Sequence, residues 1–232
     1  MTHPSSHRHG AVRATLVLSI ALLGTASMAA SAASASSPSA ARNEAAGTAS
    51  ADVQLLVRSA VHAGDNKGQP FAVVDKKNAR LFIYRGDGTL SGTTPVLLGA
   101  ARGDDSVPGI GERPMAQIKP SERTTPAGRF VSEPGRNMQG EDIVWVDYDA
   151  AVSMHRVRTS NRSERRAQRL ATPTIADNRI SYGCINVPAA FYDAHVKPAL
   201  GNTRGVIYVL PETQPLAQRF GFLGSPGIAS AD

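Results

Sequence analysis

The sequence lacks several features that would point directly to a function. It has a single cysteine, Cys184, in 232 residues, so no disulfide can form within the chain. Its longest apolar stretch, residues 14–23, is too short to span a bilayer. No internal repeat, recognition-helix, zinc-finger or aromatic RNA-binding pattern occurs, so no nucleic-acid partner is expected. No residues recur at metal-ligand spacing, and we expect neither a metal nor an organic cofactor.

The amino terminus has the pattern of an export signal. Arg8 and Arg13 supply positive charge around the short apolar stretch, and small residues that suit a cleaving peptidase follow it. We therefore expect a signal peptide over residues 1–32, with a retained amino-terminal anchor as the alternative. Residues 33–51, rich in Ala and Ser, lack apolar periodicity and are predicted to be a linker. Residues 52–232 are then one domain, with a core at about 71–210.

The chain is basic, with a formal net charge of +6. For an exported protein this charge suits an anionic cell-wall polymer or a membrane surface. No transmembrane span is expected once the signal is removed, and the expected location is the periplasm or the cell wall.

Short apolar segments predict a mostly β domain with a few short helices. Residues 71–75 and 79–84 read as a hairpin. Further strands are predicted to end near residue 98 and to occupy residues 129–131, 143–147, 152–155 and 205–210. The segment 102–126 is rich in proline and glycine, and a loop of this length in a compact domain is usually functional or mobile.

Three helices are expected beside these strands. Asp52 is the predicted cap of a helix that runs to about Val61. Residues 160–170 are predicted to form a basic helix, and residues 188–197 a helix with proline in its first turn.

The surroundings of Cys184 favour a reactive thiol. It lies in the run ISYGCINVP, residues 180–188. Gly183 permits a close backbone approach, and the amides of Gly183 and Cys184 are placed to stabilise an oxyanion. A buried inert thiol and an intermolecular bridge are the alternatives.

A thiol nucleophile needs a base that folding brings within reach. Three histidines remain after the signal: His62, His155 and His195. We expect His155 to be the base, because it ends an apolar strand and neighbouring strands can bring it to Cys184. Ser153 and Ser181 are short polar residues near the two, and either is a candidate for orienting the imidazole.

Together these residues resemble the L,D-transpeptidase (YkuD-like) catalytic domain of bacterial cell-wall enzymes. The resemblance runs from about residue 71 to 210 and rests on a hairpin with the sequence LFIY, the element TPAGRF at residues 125–130, the pair Met154-His155 and the motif SYGCIN at residues 181–186. It implies an L,D-transpeptidase-like β-sandwich or barrel, in which Cys184 forms a thioester with a peptidoglycan stem peptide and transfers it to an amine. In this family the donor is usually a tetrapeptide stem, cleaved between diaminopimelate and the terminal D-alanine; the sequence leaves the stem length for this chain open.

Three positions depart from the family pattern, and they bear on substrate. Tyr182 stands where histidine is common, Asn186 where arginine is common, and Arg156 where glycine is usual. We expect Tyr182, Asn186, Arg156 and Arg179 to contact substrate, and Cys184, His155, Gly183 and Ser181 to form the catalytic group.

The segment 155–180 carries seven arginines against two acidic residues, a balance of +5. A solvated surface is the ordinary explanation for such a run. Its position between His155 and Cys184 also suits a cleft rim that holds the carboxylates of a stem peptide or an anionic wall polymer.

Two other functions stay open from the sequence. With water as the acceptor, the protein would be an L,D-carboxypeptidase or an amide hydrolase. A non-catalytic peptidoglycan-binding module would keep the fold and the arginines without using the thiol.

Overall fold

The computed structural model describes residues 48–224, so the predicted signal peptide and most of the predicted linker lie outside the described residues. The described part is mostly β, as expected. Its strands are β1 (Phe71–Asp75), β2 (Arg80–Tyr84), β3 (Leu90–Pro95), β4 (Leu98–Gly99), β5 (Gly128–Arg136), β6 (Asp142–Asp147), β7 (Val152–Arg156), β8 (Arg179–Ser181), β9 (Ile185–Val187) and β10 (Gly205–Val209).

The helices of this part are short. The α-helices are α1 (Ala51–His62), α2 (Arg166–Ala171), α3 (Ala189–Phe191), α4 (Lys197–Leu200) and α5 (Leu216–Arg219). A π-helical stretch, Tyr192–Val196, joins α3 to α4, so the chain is helical from Ala189 to Leu200. Single 3₁₀ turns occupy Ile110–Glu112, Met115–Gln117, Pro120–Glu122, Arg162–Glu164, Ile175–Asn178 and Gly221–Gly224.

Eight strands form one sheet in the order β3-β2-β1-β10-β5-β6-β7-β9. The predicted hairpin is confirmed, since β1 and β2 pair antiparallel from Phe71–Tyr84 to Asp75–Arg80. On the outer edge of β9, Asn186 forms a β-bridge to Leu97, which lies just after β3, so the sheet nearly closes on itself. The remaining strands, β4 and β8, form a short parallel pair next to this closure.

Strand β1 is buried along its whole length because both faces of the sheet are covered. Phe71 and Val73 face a core that includes α1, through Val53 and Leu56. On the opposite face lies a second core, which contains Ala72 and Val74 of β1 and Tyr192, Val196 and Leu200 of the helical stretch 189–200.

Two predicted helices differ in detail from the observed ones. The cap of α1 is Ser50, whose Oγ accepts from the Val53 amide at 3.4 Å, while Asp52 lies in the first turn and pairs with Lys77. The predicted basic helix over residues 160–170 was too long. Arg165 adopts a left-handed φ of 51°, which separates a 3₁₀ turn from α2.

A buried ionic cluster is formed by Lys76, Asp104, Arg179 and Glu212. The Lys76 side chain is fully buried, and its Nζ donates to Asp104 Oδ1 at 2.9 Å, to the Thr125 carbonyl at 2.9 Å and to the Gly103 carbonyl. Glu212 lies 3.7 Å from the same Nζ and binds Arg179 at 2.6 Å. Two positive and two negative groups thus neutralise one another, as buried charges require.

Asp104 is the most heavily bonded member of this cluster. It accepts from the amides of Glu212, Thr213 and Gln214 at 2.7 to 2.8 Å. Burial alone would raise the pKa of its carboxyl, but the hydrogen bonds of Thr213, Glu212 and Lys76 outweigh burial and hold that pKa well below its ordinary range.

We predict that Asp104→Asn lowers the free energy of unfolding by about 3–5 kcal/mol at pH 7, because Glu212 alone then faces both Lys76 and Arg179 and one buried positive charge is left uncompensated. A lowered carboxyl pKa stabilises the fold above the ordinary value near 3.9, and this contribution fades as pH falls through the folded-state pKa. Urea unfolding of both proteins at pH 7 and pH 3 should therefore show a gap that narrows in acid. A gap independent of pH would contradict the prediction.

Candidate active site

The pairing of β7 with β9 brings the candidate nucleophile and base together. These strands run parallel, with His155 opposite Asn186, and Cys184 lies immediately before β9. His155 lies close enough to the Cys184 thiol for its hydrogen bonding and charge to lower the pKa of that thiol. His195, in contrast, lies 3.3 Å from Ser91 and stacks on Phe191.

A backbone carbonyl fixes the orientation of the His155 ring. Nδ1 lies 2.8 Å from the Arg156 carbonyl oxygen. A carbonyl can only accept, so in this bond Nδ1 carries the proton. In the neutral ring Nε2 is then unprotonated and is the nitrogen that can take a proton from the thiol.

The half-buried thiol of Cys184 contacts two further polar groups. Its Sγ lies 3.7 Å from Ser153 Oγ and 3.7 Å from the Ala151 carbonyl. Burial would raise the pKa of the Cys184 thiol, but the hydrogen bond and charge of His155, with the amide and hydroxyl of Ser153, lower it below its ordinary value. This is the direction that activates a cysteine at neutral pH.

Ser181 supports the loop around the cysteine. Its Oγ donates to the Cys184 carbonyl at 2.6 Å and accepts from the Gly183 amide at 3.2 Å. Its contacts are therefore with the loop backbone, and the Ser153 hydroxyl contacts the sulfur. Of the two amides expected at the oxyanion site, that of Gly183 already has an acceptor, which leaves the amide of Cys184.

Glycine is required at position 183 by its surroundings. Its φ is +137°, and a Cβ there would lie 2.9 Å from the Thr124 carbonyl oxygen. Any other residue would combine backbone strain with a steric clash.

Tyr182 lies beside an arginine that sequence reasoning did not identify. The guanidinium of Arg123 stacks on the Tyr182 ring at 3.8 Å from its centroid. Nε and Nη2 of Arg123 both bind the Ile118 carbonyl, which fixes the plane of the guanidinium. Arg123 belongs to the long loop 102–126, whose length and composition were the only signal in the sequence.

Asn186 makes internal contacts with both ends of its side chain. It is fully buried, accepts from Arg166 and donates to the Cys184 carbonyl at 3.1 Å. It therefore ties the nucleophile loop to the arginine-rich segment. Its expected role as a direct substrate contact stays a prediction.

Arg156 and Arg179 are both held in ion pairs. Arg156 binds Asp142 and Asp193 and packs on the Tyr192 ring. Arg179 binds Glu212 and the Lys76 carbonyl in the buried ionic cluster. Within residues 48–224 these contacts occupy both side chains with protein groups, and their roles toward substrate stay predictions.

Two kinds of feature are absent from the described part of the chain. No group of three or more His, Cys, Asp or Glu residues is arranged to hold a metal ion there. Over the same residues, no helix has the length and apolarity that crossing a membrane requires.

Comparisons with known proteins give low similarity. No family model matches the chain, and no curated protein matches it. The similar solved structures are mostly L,D-transpeptidases. One from Mycobacterium smegmatis is 17% identical, with 61% of this chain and 58% of that chain covered and a TM-score of 0.35. The catalytic domain of the E. faecium L,D-transpeptidase is 18% identical, with 62% and 98% covered and a TM-score of 0.33.

A third similar structure is the helical cell shape determining protein Pgp2 from Campylobacter jejuni. It is 12% identical, with 63% of this chain and 49% of that chain covered and a TM-score of 0.41. The chain thus spans less than two thirds of the Mycobacterium and Campylobacter structures. Similarity at this level establishes no function, which has to be inferred from the site itself.

We predict that His155→Ala slows alkylation of Cys184 by iodoacetamide at pH 6 roughly tenfold or more, since each unit of thiol pKa changes the thiolate fraction tenfold below the pKa. The midpoint of the pH–rate profile should move upward. His195→Ala is the matched control and should react like the wild type. Equal rates in the two variants would remove His155 from the activation of the thiol.

Proposed function

We propose that this chain is an exported cysteine acyltransferase of the L,D-transpeptidase type, which acts on peptidoglycan stem peptides in the periplasm or cell wall. The observation that carries the proposal is the proximity of the chain's one thiol, through the pairing of β7 with β9, to a histidine whose Nδ1 is bound to a backbone carbonyl. A pair arranged in this way is suited to nucleophilic acyl transfer. The motif resemblance supplies the substrate class.

The first half-reaction forms a thioester. His155 takes the thiol proton, and the Cys184 sulfur attacks the carbonyl carbon of the donor stem. The resulting oxyanion is stabilised by the Cys184 amide, in a half-buried site where such a hydrogen bond is strong. The C–N bond then breaks, and the protonated His155 gives its proton to the departing amine of the terminal D-amino acid.

The second half-reaction transfers the acyl group. An amine of a second stem attacks the thioester carbonyl and loses a proton to His155. The C–S bond breaks, and the thiolate is regenerated beside the imidazolium. Water in place of the amine would give hydrolysis, and the two outcomes differ only in the acceptor.

Stem carboxylates are the proposed partners of the arginine-rich rim. Five of its seven arginines are held by internal hydrogen bonds or ion pairs, namely Arg156, Arg158, Arg166, Arg169 and Arg179. Arg162 and Arg165 are exposed and form no ion pair or side-chain hydrogen bond with other described residues. These two are therefore the members best able to bind a stem carboxylate or an anionic wall polymer.

We predict that Cys184→Ala lowers turnover of tetrapeptide-stem muropeptides by at least about a thousandfold, because the nucleophile is lost. The wild type should yield cross-linked dimers when the products are separated and weighed by mass spectrometry, and His195→Ala should behave like the wild type. Tripeptides without dimers would make the protein a carboxypeptidase. If the wild type leaves the stems unmodified, the protein would be a non-catalytic binding module.

A double variant tests the rim. We predict that Arg162→Gln with Arg165→Gln raises the KM for stems by up to roughly thirtyfold at unchanged kcat, since each of the two exposed charges contributes about 1 kcal/mol or less. Added salt should weaken the wild type similarly. Arg58→Gln with Arg85→Gln removes two exposed charges elsewhere and serves as the control. Equal KM values in the two double variants would make the rim a solvated surface only.

A further inference from the structure

The segment Arg123 to Thr125 passes between two glycines next to the nucleophile. A Cβ on Gly99 would lie 2.2 Å from the Arg123 carbonyl oxygen, and a Cβ on Gly183 would lie 2.9 Å from that of Thr124. Neither distance is compatible with a side chain. The backbone segments that contain Gly99, Gly183 and residues 123–125 therefore lie closer together than residues with a Cβ would permit.

The Thr125 hydroxyl links the two backbone segments that contain these glycines. The residue is fully buried. Its Oγ1 accepts from the Gly99 amide at 2.9 Å and donates to the Gly183 carbonyl at 2.8 Å. Both hydrogen bonds are made in the protein interior, where leaving either backbone group unpaired is costly.

Fixing the Gly183 carbonyl also fixes the Cys184 amide, because the two belong to one peptide plane. In a trans peptide the C=O and N–H bonds point in opposite directions. With the carbonyl held by Thr125, the Cys184 N–H points away from Thr125. This amide is the oxyanion donor that remains after Ser181 has taken the Gly183 amide.

Thr125 is itself held from behind. Its carbonyl accepts from Lys76 Nζ at 2.9 Å, and that ammonium is fixed by Asp104 and Gly103. A continuous series of hydrogen bonds thus connects the buried ionic cluster to the peptide bond that precedes the sulfur.

We propose that Thr125 is a positioning residue: its hydroxyl holds the Gly183–Cys184 peptide so that the Cys184 amide is directed at the oxyanion of the acyl-transfer intermediate, with Lys76 holding Thr125 in place. The proposal rests on the thiol chemistry of the proposed function but not on its substrate. It concerns any acyl donor that Cys184 attacks.

The test compares two reactions of the same sulfur. With p-nitrophenyl acetate, the thiolate adds to the carbonyl, an oxyanion forms, and p-nitrophenolate leaves as the thioester is made. With iodoacetamide, the thiolate displaces iodide from carbon and no oxyanion forms. A misdirected amide therefore slows the first reaction only.

For Thr125→Val we expect acylation to fall about tenfold or more, since loss of one oxyanion donor costs about a hundredfold to a thousandfold. The alkylation rate and its pH profile should stay within about twofold of the wild type. Thr125→Ser, which keeps the hydroxyl, should restore acylation. Ser132→Ala is the control: it removes another buried hydroxyl, one that accepts from the Gly205 amide at 3.1 Å, and should change neither reaction.

Equal losses in acylation and alkylation would overturn the proposal, because Thr125 would then act on the thiol as a whole. A variant that loses neither rate would overturn it as well. If Thr125→Val does not fold, Thr125→Ala replaces it with the same expectation. Amide exchange in the wild type adds a measurement that needs no variant. The Gly99 amide should be protected and the Cys184 amide should exchange rapidly; a protected Cys184 amide would refute its direction.

Neither probe is a wall fragment, so the result is separable from the proposed function. Failure on muropeptides with a selective loss of acylation would reject the substrate and keep the positioning role. Turnover of muropeptides that is unaffected by Thr125→Val would keep the substrate and reject the positioning role.

Discussion

A buried ammonium that must be neutralised on all sides constrains the rest of the structure. Lys76 follows β1, yet the groups that satisfy its charge come from the loop 102–126 and from the chain after β10. Since an unpaired charge in this position would be prohibitively costly, these three parts of the chain have to meet. The partners that meet there include the Thr125 carbonyl, which places the loop against the peptide of the nucleophile. The same electrostatic requirement therefore organises the fold and the geometry of the site.

Local patterns were sufficient for most strands. The hairpin was predicted from two apolar runs, β1 and β2, separated by a short turn. The continuous apolar run in β1 also fits a strand whose two faces are both covered. The proximity of His155 and Cys184 followed from a similar argument: each lies at the end of a short apolar segment, and such segments become neighbours in a sheet. The helix predicted over residues 160–170 was too long because a left-handed Arg165 leaves no trace in composition or periodicity.

Side-chain partners could not be predicted, because they are set by contacts between distant parts of the chain. Arg156 and Arg179 were counted as free charges beside a cleft, whereas their carboxylate partners come from β6, the helical stretch 189–200 and the segment after β10. A charge count gives the number of arginines in a segment but does not show which of them are already paired with a carboxylate. For the same reason Arg123 was missed, and Thr125 was identified only as part of the TPAGRF element and not as a contact of the nucleophile loop.

The parallel pairing of β1 with β10 has a consequence for the order of assembly. Phe71 lies beside Val206, so the middle of the sheet joins the first strand of residues 48–224 to the last. Pairing over such a separation is slow, because loop closure has to precede the contacts that reward it. In a chain made amino terminus first, β1 has no parallel partner until β10 has followed, so the sheet is completed at its middle only after both of its outer strands, β3 and β9, have been made.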